Sequence, residues 1–149
     1  MNAYMMENIN LKEFVVVKKD LFSRERIPIL SINQDHFTVN TDCHDLLNNC
    51  ESVQFMVNIR EKEIVLKPIS SSDESAVVWR NDKLVKKKLA KLICPQLGTQ
   101  LFRAWNLNAE YQYRMKGVLA KADNKVVLLF RMNGADVFSG CYKEGVYEQ

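Results

Sequence analysis

Two stretches of this chain alternate apolar and polar side chains on either side of a short polar interruption. A chain that does this twice is committed to antiparallel sheet. In "SVQFMVNIREKEIVLKPI", Ser52 to Ile69, the residues Val53, Phe55, Val57 and Ile59 point one way and Gln54, Met56 and Asn58 the other. The polar Arg60-Glu61-Lys62 between them is of hairpin length, and Pro68 places the end of the second strand at an edge or margin. In "YQYRMKGVLAKADNKVVLLFRM", Tyr111 to Met132, the residues Tyr111, Tyr113 and Met115 alternate with Gln112, Arg114 and Lys116. "KADN" makes the turn there, and "KVVLLFRM" reads as a strand buried on both faces.

A helix-like segment precedes each hairpin. Thr41 or Asp42 is a credible N-cap for a short helix from Cys43 to Asn49, with Leu46 and Leu47 as its core anchors. Pro95 suits the first turn of a second helix running to Trp105, because its missing N–H is not needed there. On that helix Leu97, Leu101, Phe102 and Trp105 form one apolar stripe. The stripe predicts that Trp105 is buried between its helix and the second hairpin. Earlier still, "EFVVVKK" (Glu13 to Lys19) reads as a first strand. Two extended pieces, Ile29 to Ile32 and His36 to Asn40, flank a polar turn. "AVVWRNDKLVKKKLAKLI" reads as two strands around Asn81-Asp82, the second of which could equally begin the next helix.

Each half is thus strand, helix, hairpin. The expected fold is α+β, with two related units sharing a mixed, mainly antiparallel sheet core. The units are residues 1–70 and 76–149, and "SSSDES" at 70–75 is the linker. One such unit is too small to bury its own sheet face, and two packed together make one shared core. The 149 residues suffice for this, since a chain of that size removes roughly 70% of its unfolded surface from water.

The chemistry-bearing residues are sparse. Four cysteines, Cys43, Cys50, Cys94 and Cys141, are irregularly spaced without a C-x-x-C pair, so free thiols are expected. Cys43 and His44 look like a dyad, but consecutive helical residues point about 100° apart. A buried Cys43 beside a surface His44 is the reading that remains. Structural zinc takes four ligands at short regular spacing, which this chain does not offer. No phosphate-binding or dinucleotide-binding glycine motif occurs. We therefore expect no catalytic residue, metal, cofactor or small-molecule substrate. No signal peptide and no apolar run of membrane-spanning length is legible, which points to a cytoplasmic protein without membrane attachment.

The net charge of +3 is mild, so a nucleic-acid role would have to rest on a local patch. One is present: Arg80, Lys83, Lys86, Lys87, Lys88 and Lys91 face only Asp82 over twelve residues. It is a candidate phosphate-contacting strip, or else a solvated edge whose lysines prevent edge-to-edge pairing. Tyr111, Tyr113 and Arg114 are candidate partner contacts, since Tyr and Arg are favoured in interfaces. Their alternation equally suits burial in the core.

Several segments together resemble a known family. These are "FTVNTDCHDLL", "SVQFMVNIREKEIVLKPI", "VVWRNDKLVKKKL" and "LFRAWNLNAEYQYRMKGV". They are similar to small proteins encoded beside large serine integrases on phages and integrative elements of Gram-positive bacteria. The resemblance covers roughly Ile29 to Phe138 and is carried by apolar spacing and a few markers. The markers are Asn40 with Cys43, Trp79, and Trp105-Asn106 followed by Tyr111 and Tyr113. It implies a recombination directionality factor, a non-enzymatic partner of the integrase in the bacterial host cytoplasm. Such a factor binds the integrase on DNA, re-aims its coiled-coil region and switches it from integration to excision, touching DNA only indirectly or weakly. The first half also resembles AbrB-like swapped-hairpin modules, which are DNA-binding dimers. That resemblance implies a transcriptional regulator instead, although Arg26-Ile27-Pro28 lies earlier in the unit than the motif of that family.

Overall fold

Ten strands and two α-helices form among the residues that the computed structural model describes, 6–22, 25–80 and 91–148. In chain order they are β1 (Ile29–Ile32), β2 (His36–Val39), α1 (Thr41–Leu46), β3 (Ser52–Asn58), β4 (Glu63–Pro68), β5 (Val77–Val78) and β6 (Lys91–Ile93). Then follow α2 (Pro95–Ala104), β7 (Gln112–Ala122), β8 (Lys125–Arg131), β9 (Asp136–Ser139) and β10 (Tyr142–Val146). The fold is mixed α+β and dominated by strand, in one curled antiparallel sheet.

The order across the sheet is β5-β3-β4-β8-β7-β1-β2-β6, with β9 and β10 attached beside β7. The two hairpins of the first half, β1–β2 and β3–β4, are therefore not neighbours. The β7–β8 hairpin lies between them, β1 pairing with β7 and β4 with β8. The first half therefore builds no continuous sheet of its own, whereas β8, β7, β9 and β10 of the second half are joined to one another. The long strand β7 makes this possible: Gly117 to Ala122 pair with β8, while Gln112 to Arg114 pair with β9. Tyr113 and Arg114 pair with β1 as well as β9, so β1 and β9 occupy opposite edges of β7.

Alternation sets the inner face. Leu30, Ile32, Val53, Ile64, Leu66, Met115, Leu128 and Phe130 are fully buried in one cluster with Trp79, Leu101 and Trp105. Burying one such aliphatic side chain stabilises by about 1.5–3 kcal/mol, so the cluster dominates the energetics. Two glycines allow close approach inside it. A Cβ on Gly117 would sit 2.6 Å from the Phe130 ring across the β7–β8 pair. A Cβ on Gly98 would sit 1.9 Å from the Gln34 carbonyl oxygen, so α2 packs directly on the turn between β1 and β2.

Several sequence expectations need correction. "EFVVVKK" is not a strand: it has no ladder partner among the described residues, and Val15 and Val16 are 87% and 90% exposed. β-Branched side chains favour extended backbone, but a strand needs a neighbour to pair with. The first helix begins at Thr41, and its cap is Asn40, whose side chain accepts from Cys43 N–H. Asp42 lies inside the first turn instead, and its carboxylate accepts from Ile27 N–H at 3.0 Å. Trp105 is buried as expected, yet its indole N–H donates to the Ile59 carbonyl at 3.0 Å. It is therefore also tied to the tip of the first hairpin, while it shares one core cluster with Met115, Leu128 and Phe130 of the second. The serine-rich stretch is fastened to the sheet: Ser52 Oγ bonds Ser71 Oγ at 2.6 Å, and Gln54 Nε2 donates to Ser75 Oγ at 2.9 Å. On β8, Lys125 and Val126 are exposed, so burial on both faces is reached only at Val127 and Leu128. Of the two strands read around Asn81-Asp82, β5 and β6 are present, at opposite ends of the strand order on β3 and β2, and Asn81-Asp82 lie outside the described residues.

Candidate interaction surface

The residues singled out for chemistry are each held by packing. Cys43 is buried at the start of α1, where its thiol contacts Asn40 Oδ1 at 3.2 Å and the Ile29 carbonyl at 3.5 Å. Burial pushes the thiol up to about 12, far from a thiolate nucleophile's range. His44 turns the other way and lies on Trp79, with ring centroids 4.3 Å apart. Burial lowers its pKa, Asp45 opposes the shift and Arg80 adds to it. Among the described residues His44 Nδ1 is buried without a hydrogen-bond partner. All four cysteines are free thiols. Among the described residues no three His, Cys, Asp or Glu side chains gather as a metal site would require.

The aromatic candidates are spread between core and margin. Tyr113 is buried, and its hydroxyl accepts from Asn108 N–H at 3.0 Å. Its ring meets Phe102 and Tyr147 edge-on, with centroids 5.8 and 6.2 Å away. Tyr111 is half-buried against the same cluster. Arg114 stacks over Phe138 at 3.7 Å and donates from Nε to Gln112 Oε1 at 2.8 Å. Tyr113 and Arg114, consecutive on β7, therefore divide between its inner and outer faces, as strand alternation demands, and Tyr111 lies just before the strand.

The basic strip divides too. Arg80 donates to the Asn49 carbonyl, just beyond α1. Lys91 is exposed at the start of β6, opposite Thr38. Lys83, Lys86, Lys87 and Lys88 lie outside the described residues.

The sequence reading did not find the surface that stands out. On the outer face of the sheet one register row crosses four strands. Met56 of β3 pairs with Val65 of β4, Val65 with Leu129 of β8, and Leu129 with Val118 of β7. All four are apolar. Met56 and Val118 are each 50% exposed, and Val65 and Leu129 are partly covered by their neighbours. The row on one side is polar, Asn58-Glu63-Arg131, with Arg131 and Glu63 paired at 2.9 Å. On the other side lie Gln54 and Lys67 on β3 and β4, and the apolar Val127 and Ala120 on β8 and β7. An apolar stripe with a partly polar rim has the make-up of a protein contact. Each half contributes two residues, and only the unexpected β4–β8 pairing joins them. From sequence alone the row was invisible. Met56 was read as the polar-side member of its strand, and Leu129 as part of a doubly buried run.

A second apolar region precedes β1. Ile9, Leu11, Phe14, Val15, Val16, Leu21 and Phe22 are all exposed, and none of them joins the core cluster. Among the described residues the segment's hydrogen bonds and ion pairs to the body fall near its end. There Asn40 Nδ2 donates to the Ile27 carbonyl at 2.8 Å and Arg26 pairs with Asp45 at 3.0 Å.

No protein-family profile, curated protein or solved structure matches the chain. Among the described residues no helix is long and apolar enough to cross a membrane.

Proposed function

We propose that this protein is a non-enzymatic recombination directionality factor of the bacterial cytoplasm, acting on a large serine integrase by direct contact. The observation that carries the reading is the outward apolar row Met56-Val65-Leu129-Val118 with its partly polar rim. It supports a protein partner, and the family resemblance supplies which one. The row would seat against the integrase's coiled-coil region. Contact there acts as a population shift, in which the ligand moves the balance between two integrase arrangements only by its differential affinity for them. About 3 kcal/mol of difference changes the ratio roughly a hundredfold.

Recombination with purified cognate integrase and each pair of attachment sites tests this. The wild-type protein is expected to stimulate excision and inhibit integration. Met56→Asp with Val118→Asp should lose both effects while remaining folded, because both positions face water. No effect of wild type in either direction overturns the reading.

One observation favours the AbrB-like regulator as a second reading, and with it the idea of two related units. Exchanging β1, β2, β3 and β4 for β5, β6, β7 and β8 maps the pairing β1–β7 onto β5–β3. It maps β3–β4 onto β7–β8, and β2–β6 and β4–β8 each onto themselves. The β1–β2 pairing breaks the match, because its image β5–β6 is not paired among the described residues. The helix ends match as well. Leu47 and Trp105 are the C-caps, followed by Asn48 and Asn106 at φ 56° and 54°. Asn49 N–H then donates to the His44 carbonyl as Leu107 N–H does to Phe102. Interlocked hairpins of this kind suit a swapped-hairpin pair fused in one chain. Tight binding to naked DNA with a steep salt dependence, abolished by replacing Lys86, Lys87 and Lys88 with Ala, would favour this reading.

A further inference from the structure

We propose that two copies of this protein associate by exchanging their N-terminal arms, the Val15–Val17 stretch of each adding as an edge strand beside β10 of the other. The inference stands apart from any role in recombination, since it rests only on what the arm and that edge leave unpaired.

The donor side is a strand without a sheet. Phe14 N–H donates to the Leu11 carbonyl, which closes a short turn and leaves Phe14 extended. Among the described residues no backbone group of Val15, Val16 or Val17 is hydrogen-bonded within the chain. Three consecutive β-branched residues prefer extended backbone, and here both their side chains and their peptide groups face water.

The acceptor side is an edge. Among the described residues β10 pairs only with β9. Tyr147 N–H donates to the Ala135 carbonyl, and the Tyr147 carbonyl accepts from Gly134 N–H, both at 2.8 Å. The peptide groups of Tyr147 thus point inward. Those of Val146, the next residue along an extended strand, point outward from the sheet. An unpaired row of this kind is a template for another strand.

Charge complements this pairing. Antiparallel pairing of Val16 with Val146 brings Lys18 to Glu144, at the bulge that β10 carries between Lys143 and Gly145. Among the described residues neither of these charges has an ion-pair partner, unlike Lys143, which is bound to Asp136 at 3.1 Å. Opposite charges directly across a pair stabilise it, and like charges do the reverse.

The topology favours a second copy over the arm's own body. The arm leaves through Ile27 on the β1 edge of β7, whereas β9 and β10 lie on the opposite edge. A copy related by a two-fold axis presents its β10 without that crossing. Reciprocal exchange then closes the assembly at two, as an isologous interface does.

The test uses the full chain in a Cys141→Ser background, because Cys141 is exposed beside β10. In Val16→Cys with Val146→Cys, mild oxidation should give a disulfide-linked dimer on a non-reducing gel. Sedimentation equilibrium of the wild type should show a monomer–dimer equilibrium. Lys18→Glu should weaken it about tenfold, and adding Glu144→Lys should restore most of the loss, the tenfold change corresponding to about 1.4 kcal/mol. A wild type that stays monomeric to its solubility limit overturns the proposal. So does a disulfide formed within single chains, or a dimer that Val16→Asp leaves unchanged.

Discussion

Glu13-Phe-Val-Val-Val-Lys18 and Glu63-Ile-Val-Leu-Lys67 are near-copies in residue type, each an apolar β-prone run between a glutamate and a lysine. The second is β4, a strand near the middle of the sheet, with Ile64 and Leu66 fully buried. The first lies in water with no ladder partner among the described residues. Propensity is therefore the same and structure is not. What differs is the presence of β3 and β8 on either side of β4. Neighbours, more than composition, turn a β-prone run into a strand.

The largest effect that can sharpen this comparison lies where a neighbour is held in place. Trp105 sits at the end of α2, 2% exposed, and its indole N–H fastens the carbonyl of Ile59 at the end of the β3–β4 hairpin. Trp105→Ala should cost about 3–5 kcal/mol in denaturant unfolding, as large aromatic truncations do. Trp105→Phe should recover much of the packing but not the hydrogen bond. Proton exchange should then quicken first at the tip of the β3–β4 hairpin. Loss of protection in β7 and β8 instead would mean that Trp105 supports the second hairpin, as the apolar stripe alone suggests.

The direct test of the comparison pairs one residue from each run. Leu66→Ala should destabilise by about 2–5 kcal/mol, because it opens a cavity in the core. Val16→Ala, measured in dilute protein, should fall within about 0.5 kcal/mol of wild type, as surface substitutions do. Equal costs at the two sites would break the comparison. A Val16→Ala cost that grows with protein concentration would tie the arm to a second copy.

The same contrast explains what the sequence made legible. Both hairpins, both helices and part of the inner face followed from periodicity, because Val53, Tyr113 and Met115 sit where alternation puts them, whereas Ile59 is half-exposed. The cap at Asn40 and the fate of Asp42 did not, since they depend on Ile27 and Ile29 arriving from elsewhere in the chain. The order of hairpins across the sheet was hidden for the same reason. Nothing local to β4 or β8 says that Val65 will meet Leu129. The outward apolar row exists only through that meeting, so no reading of single strands could find it.

The smallest effect belongs to a side chain between the two extremes, half-buried His44 on Trp79. Burial lowers its folded-state pKa below the ordinary 6.5, with Arg80 adding and Asp45 opposing. Above about pH 6.5 both folded and unfolded chains hold it neutral, and it contributes no pH dependence. As pH falls through that value the unfolded chain takes up a proton that the folded chain refuses. Stability therefore declines until pH reaches the folded pKa, and then levels off. Urea midpoints followed downward from about pH 7.5 should show this decline. His44→Phe keeps an aromatic ring against Trp79 and should remove the His44 share of the slope while changing little at neutral pH. If the wild-type midpoint instead rises as pH falls below 6.5, the charged imidazole is the form that the Trp79 contact favours. Burial would then not be the force that sets its titration.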